Sequence, residues 1–395
     1  VILFLLAINY PTAPFTSGVD TKEKYIMKVM ILSSFAAANF YFREDMIKAI
    51  VDKGHEVVVA APEPVEDWKD RFFEIGAKYV SISHLEKNGI NPFKDLLAFF
   101  SLLRLIRKER PDKIFAYHAK TIVYGTVAAS ILGVKDIYIF FGGLGSVING
   151  NENGLISKIL RLQYKAAIKR SRKVFLQNED DIKKLLSLKL VKEEQIVRIN
   201  GSGVNLEKFQ KKPLPEDFTF LFVGRIIRDK GVLEYINAAK EVKTIYPNIR
   251  VQIIGYFDTN PSAITLDDLK PYIEDGTIEY LGYHEDVRPF LEKCTVFVLP
   301  SYHEGTPKSV LEAMAIGRPI ITTDTVGCRE TVINGLNGFL VPVKDSNALA
   351  DRMIWMIENP EQLREMAKES RKLCEEKFDV RKVNEVILST MGLYT

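Results

Sequence analysis

A chain of 395 residues, 47% hydrophobic and 27% charged, is long enough to bury two cores, which excludes a disordered polypeptide or a small disulfide-held domain. The formal charge of +3 conceals an asymmetry: residues 27–200 carry 28 Lys and Arg against 20 Asp and Glu (net +8), residues 201–395 carry 24 against 29 (net −5). A basic half beside an acidic half fits one face to an anionic surface or ligand, the alternative being two ordinary solvated surfaces.

Val1–Ile8 is apolar but too short to span a bilayer, and no basic residue precedes it. Met27 then opens the first strand, Lys28–Leu32. Residues 1–26 are expected to be a non-native or disordered extension, with a degenerate signal sequence as the alternative. Further strands are predicted near Glu56–Ala61, Tyr79–Ser83, Lys113–Tyr117, Ile137–Phe141, Lys173–Leu176 and Gln195–Ile199. Helical patterns over Glu44–Lys53, Pro92–Arg110 and Leu155–Arg172 lie between them. Pro213–Pro215 reads as a linker, after which Phe218–Val223, Val251–Gly255, Ile278–Leu281, Thr295–Leu299, Pro319–Thr322 and Phe339–Val341 repeat the alternation. The expected fold is α/β, two Rossmann-like, doubly wound parallel-sheet domains facing a cleft. Residues 27–212 are expected to form the first domain, 213–375 the second, and 376–395 a C-terminal helix packing back on the first. Cys294, Cys328 and Cys374 stand far apart, the five histidines do not cluster and no D-x-D triplet occurs. A disulfide frame or zinc site is therefore disfavoured, a reducing cytoplasm is expected, and no metal is called for.

Ligands of such sheets bind beyond the carboxyl ends of the strands, and the chemistry-bearing motifs fall there. In His303–Glu312 (HEGTPKSVLE), Thr306 is a good helix N-cap and Pro307 a good first helical residue. The amides and dipole of that helix start suit a diphosphate, with Glu304 on the loop at the mouth and Glu312 farther along the helix. In Gly224–Gly231 (GRIIRDKG), glycines let backbone approach phosphate while Arg225 and Lys230 neutralise it. Each piece alone also reads as an ordinary solvated loop.

These two segments, with Gly201–Asn205 (GSGVN), Asp324–Glu330 (DTVGCRE) and Asn334–Pro342 (NGLNGFLVP), resemble the family-4 retaining glycosyltransferases of the GT-B type, from about Met27 to about Phe378. The resemblance implies donor contacts from Gly224, Arg225, Lys230 and Glu312, the last to the ribose, with Gly305, Thr306, Pro307 and Lys308 completing the phosphate cradle. It assigns Glu304 to the sugar at the reacting face, and implies that neither a metal nor another cofactor is used. The first domain departs from the family: many members carry Gly-Gly after the first strand, whereas this chain has Ser33-Ser34-Phe35 and runs on to Arg43.

Asn91-Pro92-Phe93, Lys120 with Val123-Tyr124-Gly125, and Gly142–Gly145 resemble a narrower branch. It includes bacterial transferases that add N-acetylgalactosamine to an undecaprenyl-diphosphate-linked sugar. Lys120 is expected at the reaction centre, and His118, Gly143 and Gly145 on the acceptor side. Between Gly154 and Leu176 there are seven basic residues and no acid, interleaved with Ile156, Ile159, Leu160 and Ile168. That pattern suits an anionic membrane surface, extended by Pro92–Arg110, or else a solvated face over a core helix.

The expected protein is thus a cytoplasmic enzyme, peripheral on the inner face of the membrane. It moves a sugar, an N-acetylhexosamine such as N-acetylgalactosamine, from a UDP-sugar to a polyprenyl-diphosphate-linked saccharide in envelope polysaccharide or glycan assembly. No nucleic-acid partner is expected. Two alternatives stay open: a GT-B sugar-nucleotide epimerase, and a non-catalytic nucleotide-sugar-binding subunit.

Overall fold

The computed structural model describes residues 25–86, 91–144, 154–258 and 262–394, with the side chains of residues 155 and 156 excepted. Gly145 and residues 1–24 of the expected extension lie outside the described residues. Strands β1 (Lys28–Leu32), β2 (Glu56–Ala61), β3 (Ala77–Ser81), β4 (Lys113–Tyr117), β5 (Asp136–Phe140), β6 (Lys173–Leu176) and β7 (Ile196–Arg198) form one sheet, ordered β3-β2-β1-β4-β5-β6-β7. A second sheet, ordered β10-β9-β8-β11-β12-β13, follows from β8 (Thr219–Val223), β9 (Arg250–Ile254), β10 (Glu279–Tyr280), β11 (Val296–Leu299), β12 (Ile320–Thr323) and β13 (Gly338–Val341). Every pairing is parallel, so each connection crosses over through helical or loop segments. The strand order reverses between β1 and β4 and between β8 and β11, which places a ligand crevice at the carboxyl end of each sheet.

The helices of the first domain are α1 (Ala36–Asp52), α2 (Val65–Glu74), α3 (Pro92–Glu109), α4 (Thr126–Ile131), α5 (Leu155–Ile168) and α6 (Glu179–Ser187). Those of the second are α7 (Val232–Ile245), α8 (Leu266–Glu274), α9 (Arg288–Glu292), α10 (Lys308–Ile316), α11 (Ser346–Glu358) and α12 (Pro360–Lys377), and α13 (Val380–Met391) follows. Alternation along β1 sends Val29 and Ile31 to one buried layer and Met30 and Leu32 to the other. The layer holding Val29 and Ile31 is closed by Val383, Ile387, Leu388 and Met391 of α13, packed against Met46, Ile47 and Ile50 of α1. The chain therefore crosses between domains twice. The crossings lie side by side: Val204 N–H donates to Phe378 O at 2.8 Å and Val380 N–H to Val204 O at 3.1 Å. The C-terminal core begins earlier than the expected boundary at 213, since Val204 and Phe209 already pack in it. The buried Arg318 guanidinium also holds the Pro213 carbonyl, with both contacts at 2.9 Å.

α3 starts where its local signals place it: Asn91 accepts from the Phe93 and Lys94 amides at 3.2 Å, and Pro92 opens the first turn. α1 starts eight residues before the expected Glu44 because its N-terminus has no local cap. Instead the Ala36 amide donates to Glu63 Oε2 at 2.9 Å, a partner from the loop after β2. α5 stops at Ile168, short of Arg172, whose amide already donates to Ile137 O of the sheet.

Candidate active site

Two turns of the second domain are locked together by close backbone approaches. Gly231, at φ +71°, ends the turn after β8 directly beneath the Pro300 carbonyl, where a Cβ would overlap that oxygen. Gly327, at φ +77°, does the same beneath the Glu304 and Gly305 carbonyls. Glycine is the residue that tolerates both the left-handed backbone and the contact. The 300–306 loop is pinned further by Tyr302 N–H to Asp229 O (2.9 Å), Glu304 N–H to Val326 O (3.1 Å) and Thr325 Oγ1 to Tyr302 O (2.9 Å).

This framework brings Lys230 and Glu304 into direct ion-pair contact, with side-chain exposures of 17% and 13%. Ser301 Oγ donates to the same Glu304 Oε1 at 2.8 Å. Arg225 pairs with Asp258 Oδ2 at 2.9 Å. The expected donor cations are thus each matched by a carboxylate at the end of the β8/β11 crevice. Cys328 lies behind Glu304, its thiol pushed up to about 12, chiefly by burial and then by that carboxylate, which keeps it unreactive.

α10 begins one residue later than expected. Pro307, extended at ψ 112°, is the N-cap, and its carbonyl accepts from Val310 at 3.1 Å and Leu311 at 3.2 Å. Thr306 is therefore not the cap, and its hydroxyl oxygen is buried without a hydrogen-bond partner. The Thr306 side chain packs closely on Gly201, where a Cβ would stand 2.9 Å from it. Lys308 donates to the Tyr41 carbonyl of α1 and lies 5.5 Å from the Phe42 ring. Burial lowers its ammonium pKa, with Glu312 one turn along opposing the shift. Burial likewise raises the Glu312 carboxyl, with Lys308 opposing.

The first domain meets this loop at Gly305. A Cβ there would overlap the Gly142 carbonyl and stand 2.9 Å from Gln177 Oε1, and Asn178 Nδ2 donates to Gly305 O at 3.3 Å. Gly143, at φ +133°, faces the same residue, its virtual Cβ 3.6 Å from Gly305 N. At the end of β4, His118 holds the left-handed conformation at φ +79° and stacks on Phe35 at 4.7 Å. The Ser34 amide donates to His118 Nδ1 at 3.2 Å, which places the proton of the neutral ring on Nε2.

Lys120 turns elsewhere. Its ammonium donates to the buried Asp95 of α3 at 2.8 Å, and it makes no hydrogen bond or ion pair with the 304–312 segment among the described residues. Tyr124 joins Asp95, its hydroxyl pushed up to about 12 by burial and by that carboxylate. Lys120 immediately precedes a π-helical turn, Thr121–Gly125, a geometry that recurs at functional sites. Asp258, Ser301, Gln177, Asn178 and Asp95 were not singled out from sequence. Four of them sit at or just beyond a strand's carboxyl end, the positional signal that could have flagged them.

Among the described residues no three His, Cys, Asp or Glu side chains gather as ligands for a metal. The family model for "Glycosyl transferase 4-like" matches residues 29–178, and that for "Glycosyl transferases group 1" matches residues 204–373. The chain is similar to the N,N'-diacetylbacillosaminyl-diphospho-undecaprenol alpha-1,3-N-acetylgalactosaminyltransferase of Campylobacter jejuni, 28% identical over 84% of this chain and 90% of that one. It is also similar to the UDP-Gal:alpha-D-GlcNAc-diphosphoundecaprenol alpha-1,3-galactosyltransferase of Escherichia coli, 29% identical over 67% of this chain and 71% of that one. The structure superposes on Anabaena HepE in complex with UDP-glucose at a TM-score of 0.75, covering 93% of this chain and 99% of that one at 17% identity. The architecture is the GT-B fold.

Proposed function

We propose, for a chain that belongs to the group 1 glycosyl transferases through its C-terminal half and to the 4-like glycosyl transferases through its N-terminal half, that it transfers a sugar from a UDP-sugar to a polyprenyl-diphosphate-linked saccharide in envelope polysaccharide or glycan assembly. The observation that carries the reading is the Lys230–Glu304 contact, held at the β8/β11 crevice by Gly231 and Gly327. Lys230, Arg225 and the start of α10 stabilise the leaving diphosphate, Glu304 holds sugar hydroxyls, and Glu312 takes the ribose. The acceptor hydroxyl attacks on the face from which the diphosphate departs, so configuration is retained, and the cations named above stand in place of a metal. Its proton passes to the leaving phosphate oxygen, so no protein base is assigned. Lys120 and His118 belong to the acceptor side. The relatives' names favour an N-acetylhexosamine or a hexose as the moved sugar, with N-acetylgalactosamine first.

The decisive experiment incubates the protein with UDP-glucose, UDP-galactose, UDP-N-acetylglucosamine or UDP-N-acetylgalactosamine, with and without synthetic polyprenyl-diphosphate N-acetylglucosamine or diacetylbacillosamine. Mass spectrometry should show a lipid-linked product one sugar longer. Conversion of a UDP-sugar without acceptor, or no product from any pair, would overturn the reading.

Glu312 gives this reading a pH signature. Its carboxyl is held above the ordinary glutamate range by burial, and ribose hydroxyls donate to the ionised form. Donor binding therefore lowers that pKa and releases a proton, so UDP affinity should rise with pH through the window above the usual 4.5. Calorimetric titration of UDP from acidic to neutral pH checks the slope, and Glu312→Gln should flatten it.

The acceptor's lipid places the enzyme at a membrane surface, and no helix among the described residues is long and apolar enough to cross one. α3, α4 and α5 pack on one layer of the first sheet. On α3, Phe93 (70% exposed), Leu96 and Phe100 (57%) continue into the exposed Arg104 and Arg107 along one stripe. α5 presents Ile159 and Leu162 beside Lys158, Lys165 and Lys169. Apolar tips ringed by cations suit the headgroup boundary of an anionic bilayer. Co-sedimentation with phosphatidylglycerol-phosphatidylcholine vesicles should fall about tenfold or more in Phe93→Ser/Phe100→Ser, and should weaken with salt.

A further inference from the structure

The first domain reaches into the donor side of the crevice through a residue that none of the roles above uses. Gln177 follows β6 at the carboxyl end of the sheet, where ligands of such folds lie. It is 5% exposed, and its carboxamide oxygen is buried with no hydrogen-bond partner. The carboxamide also makes no other hydrogen bond among the described residues, whereas its neighbour Asn178 is fully committed. Asn178 Oδ1 accepts from the Asp181 amide at 2.8 Å, and its Nδ2 donates to Asp181 Oδ2 and Gly305 O at 3.1 and 3.3 Å.

A buried carbonyl oxygen left unpaired is costly, so a fold keeps one where something else completes it. Gly305 brings no side chain against Gln177 Oε1: a Cβ there would stand 2.9 Å from that oxygen. Gly305 is one residue, about 3.8 Å, from Glu304. Glu304 and Gln177 thus approach the same turn from opposite domains, one carboxylate and one carboxamide.

We propose that Gln177 is a specificity-determining residue for the donor: its carboxamide oxygen accepts from a hydrogen-bond donor on the sugar ring held at the Glu304–Gly305 turn. This rests on the donor-site reading above. A ring hydroxyl and the N–H of a 2-acetamido group are the two sources of that donor. Either way, the sugar is read by both domains at once and only when they meet. A site built around a buried acceptor rejects a sugar that leaves the acceptor unpaired, which is a stronger filter than shape alone.

The test is calorimetric affinity for UDP and for UDP-glucose, UDP-galactose, UDP-N-acetylglucosamine and UDP-N-acetylgalactosamine, measured on the full chain. Gln177→Met keeps the length of the side chain and removes its carboxamide, and Gln177→Leu, which also lacks an acceptor, serves as a second variant should the first not fold. The expected result is that the affinity ratio between the best and worst UDP-sugar contracts by about tenfold or more in the variant. UDP alone should stay within about twofold, because Gln177 touches the sugar and not the nucleotide. Loss confined to the two acetamido sugars assigns the amide N–H, and loss on all preferred sugars assigns a hydroxyl. An unchanged ranking and spread would overturn the proposal, as expected of a carboxamide that merely fills the seam between Gly142 and Gly305. Parallel weakening of UDP itself would also overturn it. Failure of the donor-site reading looks different: the unsubstituted protein then binds neither UDP nor any UDP-sugar, and both proposals fall together.

Discussion

Lys230→Ala is expected to lower kcat/KM by about 10²–10³-fold, and Glu304→Ala to remove turnover to a similar extent, with the fold intact in both. Their effects on UDP binding should differ. In the structure Glu304 neutralises Lys230, so a diphosphate must draw the ammonium away from its carboxylate before it can use it. Removing Lys230 deletes the cation and weakens UDP. Removing Glu304 releases the cation, so UDP binding is retained or tightened while transfer is lost. That division separates a donor-site cation and a sugar-facing carboxylate from an ion pair that only braces a loop, since breaking a brace weakens both binding and turnover. Each variant leaves one charge short of its partner, but Ser301 still bonds Glu304 and both side chains reach solvent. The stability cost should therefore be on the order of 1–2 kcal/mol, read as a fall of a few degrees in the thermal midpoint. The double variant should lose little more activity than either single one, because the two residues act on one transition state. Calorimetry with UDP and initial rates with the preferred donor check the set.

The second large effect belongs to Gly305. Alanine there puts a methyl group into the Gly142 carbonyl of the other domain and against Gln177, with backbone on one side that cannot rotate away. The three atoms nearest that methyl position, Gly142 O, Gly142 C and Gln177 Oε1, all belong to the first domain. Gly305→Ala should therefore fold normally and fail to bring the domains together, with kcat down about 10²-fold or more, because a misplacement of about 1 Å between reacting groups is enough for such a loss. Small-angle scattering should show a larger radius of gyration than the unsubstituted chain, and UDP, held by the second domain, should still bind. Near-normal turnover with an unchanged radius would show that the seam is not part of the working state.

Much of this was legible in the sequence. β1, β2, β4 and β6 begin and end where the Val-, Ile- and Phe-rich runs do, and the donor turns lie where two parallel sheets place their crevices. What escaped was determined by partners distant in the chain. α1 begins at Ala36 because Glu63 caps it across a loop, which no local pattern announces. Thr306 has the chemistry of an N-cap, yet its side chain packs on Gly201 and the helix starts at Lys308. Lys120 reads from sequence as a cation for the reaction centre until α3 supplies Asp95, and nothing local marks Gln177, whose side-chain oxygen meets a glycine 128 positions later. Spacing reveals which residues share an element, but charges and orphaned oxygens become visible only when elements meet.

α13 carries a consequence for how the protein is made. The layer of the first sheet that contains Val29 and Ile31 is closed by Val383, Ile387, Leu388 and Met391, residues synthesised after the whole second domain. On the ribosome the second domain can therefore mature while the first waits with an apolar face uncovered, reversing the usual N-to-C order of completion. The interval of exposure is set by the time needed to translate more than 160 residues, from β8 to the end of α13. Chaperones that hold nascent apolar surfaces are the natural custodians of that interval, and slow codons late in the message would lengthen it.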